Sequence, residues 1–152
     1  KDAHTLRVLP AKPLKFIAVV PDRKLATSLA RAARPKEVPH VDAVFNSSHA
    51  CLLVGSLLSG SYEFIGEALE DKLHQPYRAH LIPGLYEVIA AAKEAGAYNG
   101  IISGAGSTIM AYAPVDADAE KIAQAMLSTL EDQGETGTYH ILDLDTEGVK
   151  EI

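Results

Sequence analysis

Apolar positions recur at helical spacing most cleanly in the last third of the chain. Ala119, Ile122, Ala123, Met126, Leu127 and Leu130 fall at i, i+3, i+4, i+7, i+8 and i+11, which is one stripe of an amphipathic helix. Asp116 and Asp118 stand where they can cap its start, and Gly134 follows its end. Residues 14–20, Leu-Lys-Phe-Ile-Ala-Val-Val, are nearly continuous in apolar character and predict a strand covered on both faces, ended by Pro21-Asp22. Two further apolar runs, Ile101-Ile102 and Ile109-Met110-Ala111-Tyr112, flank a short polar, glycine-rich core and predict a hairpin over residues 99–113. Residues 139–144 predict a last strand. Residues 4–9 alternate like a first one, broken by Pro10-Ala11-Lys12-Pro13.

Helices fill the interval. Alanines and leucines over 25–33 predict one, capped by Thr27 or Asp22 and closed by Pro35 and Pro39. Asp42 then caps a helix over 43–58. Its Val44, Ala50, Cys51, Val54, Leu57 and Leu58 leave little room for a wet face, so a central, largely buried helix is expected, ended by Gly60. Ser61 opens the next, with Phe64, Ile65, Ala68, Leu69 and Leu73 as its stripe, and residues 74–78 read as a linker. Pro83 suits the first turn of a helix that carries Tyr86, Ile89 and Ala92 and stops at Gly96. This order predicts an α+β fold, a ferredoxin-like antiparallel sheet with helices packed on one face.

A length of 152 residues suits one domain with its own core, and 47 % hydrophobic with 22 % charged residues is ordinary globular composition. A net charge of −6 argues against a general nucleic-acid or anionic-membrane binder, while leaving room for a local basic site. Cys51 is the only cysteine, which excludes an intramolecular disulfide and a cysteine-based zinc site and suits a reducing, cytoplasmic setting. No apolar run approaches the roughly 18 residues of a membrane span. The opening Lys1-Asp2-Ala3-His4 runs straight into strand-like alternation, as if a longer protein had been entered midway. Residues 1–13 are therefore expected to end a preceding domain or to be a linking strand, and residues 14–152 to form the domain itself.

The chemistry concentrates in Ser103-Gly104-Ala105-Gly106-Ser107-Thr108. Two glycines permit positive φ and close approach, and three hydroxyls add donors and acceptors. The run reads as a plain hairpin turn or as a ligand-facing loop. It is not a Walker loop, since no Gly-Lys-Ser/Thr follows and a strand comes next. In the second case it is expected at an open edge, at φ > 0, amid unusually apolar surface.

Together with Pro21-Asp22, Ala30-Arg31-Ala32, Asp42-Ala43-Val44-Phe45-Asn46, His74-Gln75-Pro76-Tyr77-Arg78 and Leu81-Ile82-Pro83-Gly84, this loop resembles the C-terminal half of the homoserine kinase family within the GHMP small-molecule kinases. The likeness runs from about Leu14 to the end. Relatives often carry proline where this chain has Ser107. The Gly-Leu-Gly-Ser-Ser-Ala type of phosphate loop that serves ATP in the superfamily's N-terminal domain has no counterpart in this sequence. For the intact protein the resemblance implies phosphorylation of L-homoserine by ATP with Mg2+, a cytoplasmic homodimer, and an N-terminal ATP-binding domain as partner of this segment. It implies that the segment alone binds no nucleotide and is inactive, with no catalytic residue of its own. A non-catalytic amino-acid-binding or regulatory module of the same fold, and another GHMP kinase, such as one acting on mevalonate or diphosphocytidyl-methylerythritol, are the competing readings.

The resemblance also places Arg31 and Arg78 on arginines that line the substrate pocket, beside Gly104, where a guanidinium fork suits an amino-acid carboxylate. His74 is open to a general-base role or to that of a backbone-bonded linker histidine. Asn46 either closes a polar contact or reaches the cleft. Cys51 is expected in the core. The six histidines show no close pairing, so no protein-held metal is expected.

Overall fold

The computed structural model describes residue 4 and residues 6–148. Among these, four strands form one antiparallel sheet in the order β2-β3-β1-β4. The elements run β1 (Leu14–Pro21), α1 (Thr27–Ala32), α2 (His40–Ser59), a 3-10 turn (Tyr62–Phe64), α3 (Ile65–Ala68), α4 (Gln75–Arg78), a second 3-10 turn (Ala79–Leu81), α5 (Leu85–Ala95), β2 (Asn99–Ile102), β3 (Ile109–Pro114), α6 (Ala119–Asp132) and β4 (Gly137–Leu142).

Alternation sets the two faces of the sheet. Ile17 and Val19 of β1 lie level with Ala111 and Ile109 of β3, and all four point to the side where α5 and α6 pack. Val88, Ile122, Met126 and Leu130 close this core, each fully buried. Phe16 and Tyr112, paired across β1 and β3, point the other way and meet edge-to-face at 5.0 Å. They join a smaller cluster with Tyr62, Ile65 and Leu69, so a second, partial layer covers part of the opposite face. β1 is thus enclosed on both sides, as its composition requires.

The predicted caps and boundaries shift in places. Asp118 does cap α6, accepting from the Lys121 N–H at 3.0 Å. α1 begins after Ala26 with no side-chain cap, while Asp22 accepts instead from the Thr136 hydroxyl at 2.6 Å. α2 starts after Pro39, two residues ahead of Asp42, whose charge sits in the first turn where the helix dipole favours it. Pro83 lies outside α5, ahead of the N-cap Gly84. The stripe expected after Ser61 breaks into the 3-10 turn and α3, leaving Phe64 exposed and Leu73 half-buried. The linker over 74–78 is helical, and the last strand runs 137–142.

Two corrections are larger. Residues 6–9 form no strand, because β2 and β4 are the sheet edges and neither pairs with them; residues 1–3 and 5 lie outside the described residues. The second concerns α2, which is not a buried central helix. Only Ser56 is buried along it, and Val41, Val44, Val54 and Leu58 are roughly half or more exposed. Cys51, expected in the core, lies on that same open face. The opposite side of α2 rests on α3 and the 3-10 turn before it. With 20 residues of this composition α2 is, among the described residues, the helix long and apolar enough to cross a membrane. Its Asn46, however, is tied into the domain, as described next.

Candidate anion-binding site around Arg78

The site is built upward from Asp71, in the loop between α3 and α4. Its carboxylate accepts from the N–H groups of Leu73 (3.0 Å), His74 (2.9 Å) and Gln75 (2.5 Å), the donors that the start of a helix leaves unpaired. Asn46 of α2 donates to the same carboxylate and accepts from the Lys72 N–H at 2.8 Å. Both ends of Asn46 are therefore used to hold this loop. Burial alone would raise the Asp71 pKa, but these hydrogen bonds outweigh it and hold the carboxyl below its ordinary value.

With α4 started in this way, its side chains reach the glycine-rich loop. Gln75 is buried, and its Oε1 accepts from the Ile102 N–H at 2.8 Å, at the end of the edge strand β2. Three residues on, Arg78 is 4 % exposed yet has no carboxylate bonded to it among the described residues. Its Nε donates to the Ala30 carbonyl at 2.8 Å and its Nη1 to the Gly104 carbonyl at 2.9 Å. Nη1 also lies 2.5 Å from His74 Nε2. Arginine can only donate, so Nε2 is the acceptor and the His74 proton sits on Nδ1. Burial pushes the His74 pKa down, and the charges of Arg78 and Arg34 push it further, against Asp71. A ring whose lone pair is committed to Arg78 is neither a free base nor a backbone-bonded linker.

Nη2 of Arg78 has no hydrogen-bond partner among the described residues. Burial and the neighbouring Arg34 charge disfavour the Arg78 cation, and Asp71 favours it. A guanidinium remains charged regardless. The arrangement is a fixed cation, oriented by three neutral acceptors, with one edge left over for an anion.

The loop itself is held from both sides. Gly104 and Gly106 have φ of 60° and 88°. The Ser103 N–H donates to the Thr108 carbonyl at 2.9 Å, and the Ser107 hydroxyl donates to the Arg23 carbonyl at 3.0 Å. Gly104 alone in the loop is exposed; Ser103, Ala105, Gly106, Ser107 and Thr108 are half-buried. The large apolar side chains exposed among the described residues are spread over the chain, including residues 6–9, α1, α2, β4 and Phe64, Tyr86 and Val115, and none belongs to the loop itself.

The glycines differ in a testable way. A Cβ on Gly106 would sit 2.8 Å from Ile82 Cδ1 and 3.3 Å from both Ile102 and Leu25 methyls, while one on Gly104 meets nothing within 4 Å. Gly104→Ala should cost about 1 kcal/mol, from the positive φ alone. Gly106→Ala adds overpacking against the core and should cost about 2–3 kcal/mol. Urea unfolding of the two variants measures the difference. Equal losses would mean that packing against Ile82 contributes nothing.

Arg31 is brought less close than Arg78. It is exposed at the end of α1, and its side chain makes no hydrogen bond or ion pair among the described residues. With Arg34, Pro35, Val38 and Leu73 it lines an open pocket of about 410 Å³. Asp71, Gln75 and Arg34 were missed from the sequence. For Asp71 a signal existed, an acid shortly before Gln75-Pro76 at a helix start. No group of three or more His, Cys, Asp or Glu side chains comes together among the described residues.

Residues 53–132 match the family described as GHMP kinases, C terminal. A homoserine kinase of Gloeobacter violaceus is 54 % identical over 116 residues, covering 76 % of this chain and 38 % of that protein. One from Nostoc punctiforme is 43 % identical over 134 residues, covering 88 % and 44 %. The chain thus spans about two fifths of the length of these curated relatives. The crystal structure of homoserine kinase from Cytophaga hutchinsonii superposes with a TM-score of 0.87 at 28 % identity, over 93 % of this chain and 45 % of that one. Streptococcus pneumoniae phosphomevalonate kinase shares the fold, with a TM-score of 0.61 at 17 % identity over 90 % and 43 %.

Proposed function

Because the chain belongs to the C-terminal domain family of the GHMP kinases, we propose that it is the substrate-binding half of a homoserine kinase, which transfers the γ-phosphoryl group of ATP to the L-homoserine hydroxyl on the route to threonine. The observation that carries this is Arg78: a buried cation, locked in direction, with Nη2 unpartnered and no carboxylate bonded to it among the described residues. An α-carboxylate supplies the missing countercharge by accepting from Nη2, with Arg31 closing from α1 and Gly104 setting the floor. Phosphoryl transfer asks chiefly for positioning. In this reading these residues hold the amino acid still, while ATP and Mg2+ are held by the N-terminal domain of the same protein.

That domain also gives α2 an occupant. The open stripe Val41, Val44, Cys51, Val54 and Leu58 follows the 3.5-residue spacing of a helix–helix seam, and the matched relatives are more than twice the length of this chain. We assign the stripe to contact with the preceding domain, residues 1–13 to the passage between the two, and the assembled protein to the cytoplasm as a homodimer.

Calorimetry and a coupled ADP-release assay, run on the chain and on the longer protein, test this. The chain should bind homoserine weakly, bind no ATP and turn nothing over. The longer protein should release ADP with homoserine and not with serine, mevalonate or phosphomevalonate. Turnover by the chain alone, or a preference for a mevalonate-type alcohol, would overturn the proposal. Homoserine binding without turnover in the longer protein would favour a regulatory module instead. Size-exclusion chromatography of the longer protein reads the dimer.

A further inference from the structure

The pocket at the end of α1 holds more positive charge than one carboxylate needs. Arg31 and Arg34 are three residues apart on it, and Leu73, which precedes His74, forms the far wall. Neither arginine has an acidic partner among the described residues, where the one ion pair, Arg23 with Glu135, lies elsewhere. Arg78 is anchored to the carbonyl of Ala30, the residue next to Arg31, at the same end of α1. The charge of Arg34 is felt at both His74 and Arg78. In a chain of net charge −6, these guanidiniums outnumber the one carboxylate that acts on them, Asp71, whose oxygens are taken up by backbone N–H groups and Asn46, and they form a local field of opposite sign.

An amino-acid carboxylate neutralises one of these charges. The remainder suits an oxyanion with two charges, and a planar guanidinium matches the oxygens of a phosphate as well as those of a carboxylate. We propose that Arg34 makes the pocket of Arg31 and Arg34 a phosphate subsite, so that a phosphomonoester of an amino acid binds here more tightly than the parent alcohol. The amino-acid part rests on the function proposed above; the phosphate subsite does not. One consequence is retention of the phosphorylated product against incoming homoserine.

Two measurements on the longer protein separate the parts. In the first, inorganic phosphate is titrated at constant ionic strength, with chloride as control, and thermal unfolding is followed. Phosphate should raise the midpoint, chloride should not, and Arg34→Gln should remove the rise. No rise in the parent protein, or an undiminished rise in R34Q, overturns the subsite whatever the substrate is. In the second, O-phospho-L-homoserine is tested as an inhibitor competing with L-homoserine. Its inhibition constant should lie below the KM for homoserine, and R34Q should weaken inhibition about fivefold to tenfold while leaving that KM within about twofold. An equal change in both overturns the proposal, since Arg34 then serves the carboxylate, and so does no change in either. If homoserine is not turned over at all, the phosphate titration still decides the subsite and the failure falls on the proposed function.

Discussion

Replacing Arg78 by alanine in the longer protein is expected to raise the KM for homoserine about 30- to 700-fold while leaving the KM for ATP near its parent value. The range corresponds to losing a charge-assisted pair in a largely dry site, about 2–4 kcal/mol. The structure adds a cost that binding alone does not include. Arg78 is a buried strut between the Ala30 carbonyl, the Gly104 carbonyl and His74. Its removal leaves three acceptors to water and opens a void, so about 2–3 kcal/mol of stability should go as well. Arg78→Lys separates the two effects. A single ammonium cannot reach Ala30 and Gly104 as a fork, yet it keeps the charge, so KM should recover in part and stability should recover less. Steady-state kinetics and urea unfolding on both variants check this. Equal rises in the KM for homoserine and for ATP would assign Arg78 to the fold alone.

What the sequence shows of this architecture follows from where its information is local. The strand at Leu14–Pro21, the hairpin, the α6 stripe and the Asp118 cap are each specified by neighbours within a few residues, and all emerge with small shifts in boundary. α2 is different. A helix apolar on nearly every side states that it needs covering, not by what, and its pattern does not separate a neighbour in the same domain from one outside it. Cys51 is exposed for the same reason, since it lies on the same face. In the site, Arg78 and Gly104 were named and do meet, but Asp71 and Asn46 are 25 residues apart and their contact depends on α2 lying over the α3–α4 loop. Arg34 belongs to no motif, and its place beside Arg31 in one pocket, within electrostatic reach of Arg78, exists only in three dimensions.

Asp71→Ala should be the most damaging change outside the binding groups, costing about 3 kcal/mol, since one carboxylate satisfies three backbone N–H groups and Asn46 together. The effect must depend on acid. The folded carboxyl titrates below its ordinary 3.8, so the folded state releases its proton more readily than the unfolded one. Its stabilisation is complete above about pH 4 and is lost as pH falls through the folded value. His74 adds an earlier step. Its folded pKa lies below the ordinary 6.5, so below about pH 6.5 the unfolded chain takes up a proton that the folded ring, accepting from Arg78, resists. Stability therefore declines first below pH 6.5 and again below pH 4. Asp71→Asn keeps the volume and removes the second step. It should not remove the first, and should extend it to lower pH, because the Asp71 charge is what partly supports the His74 cation. Urea midpoints from pH 8 to 2 on the parent, D71N and His74→Gln read both steps. An unchanged acid limb in D71N would show that Asp71 is not what holds α4 against the glycine loop.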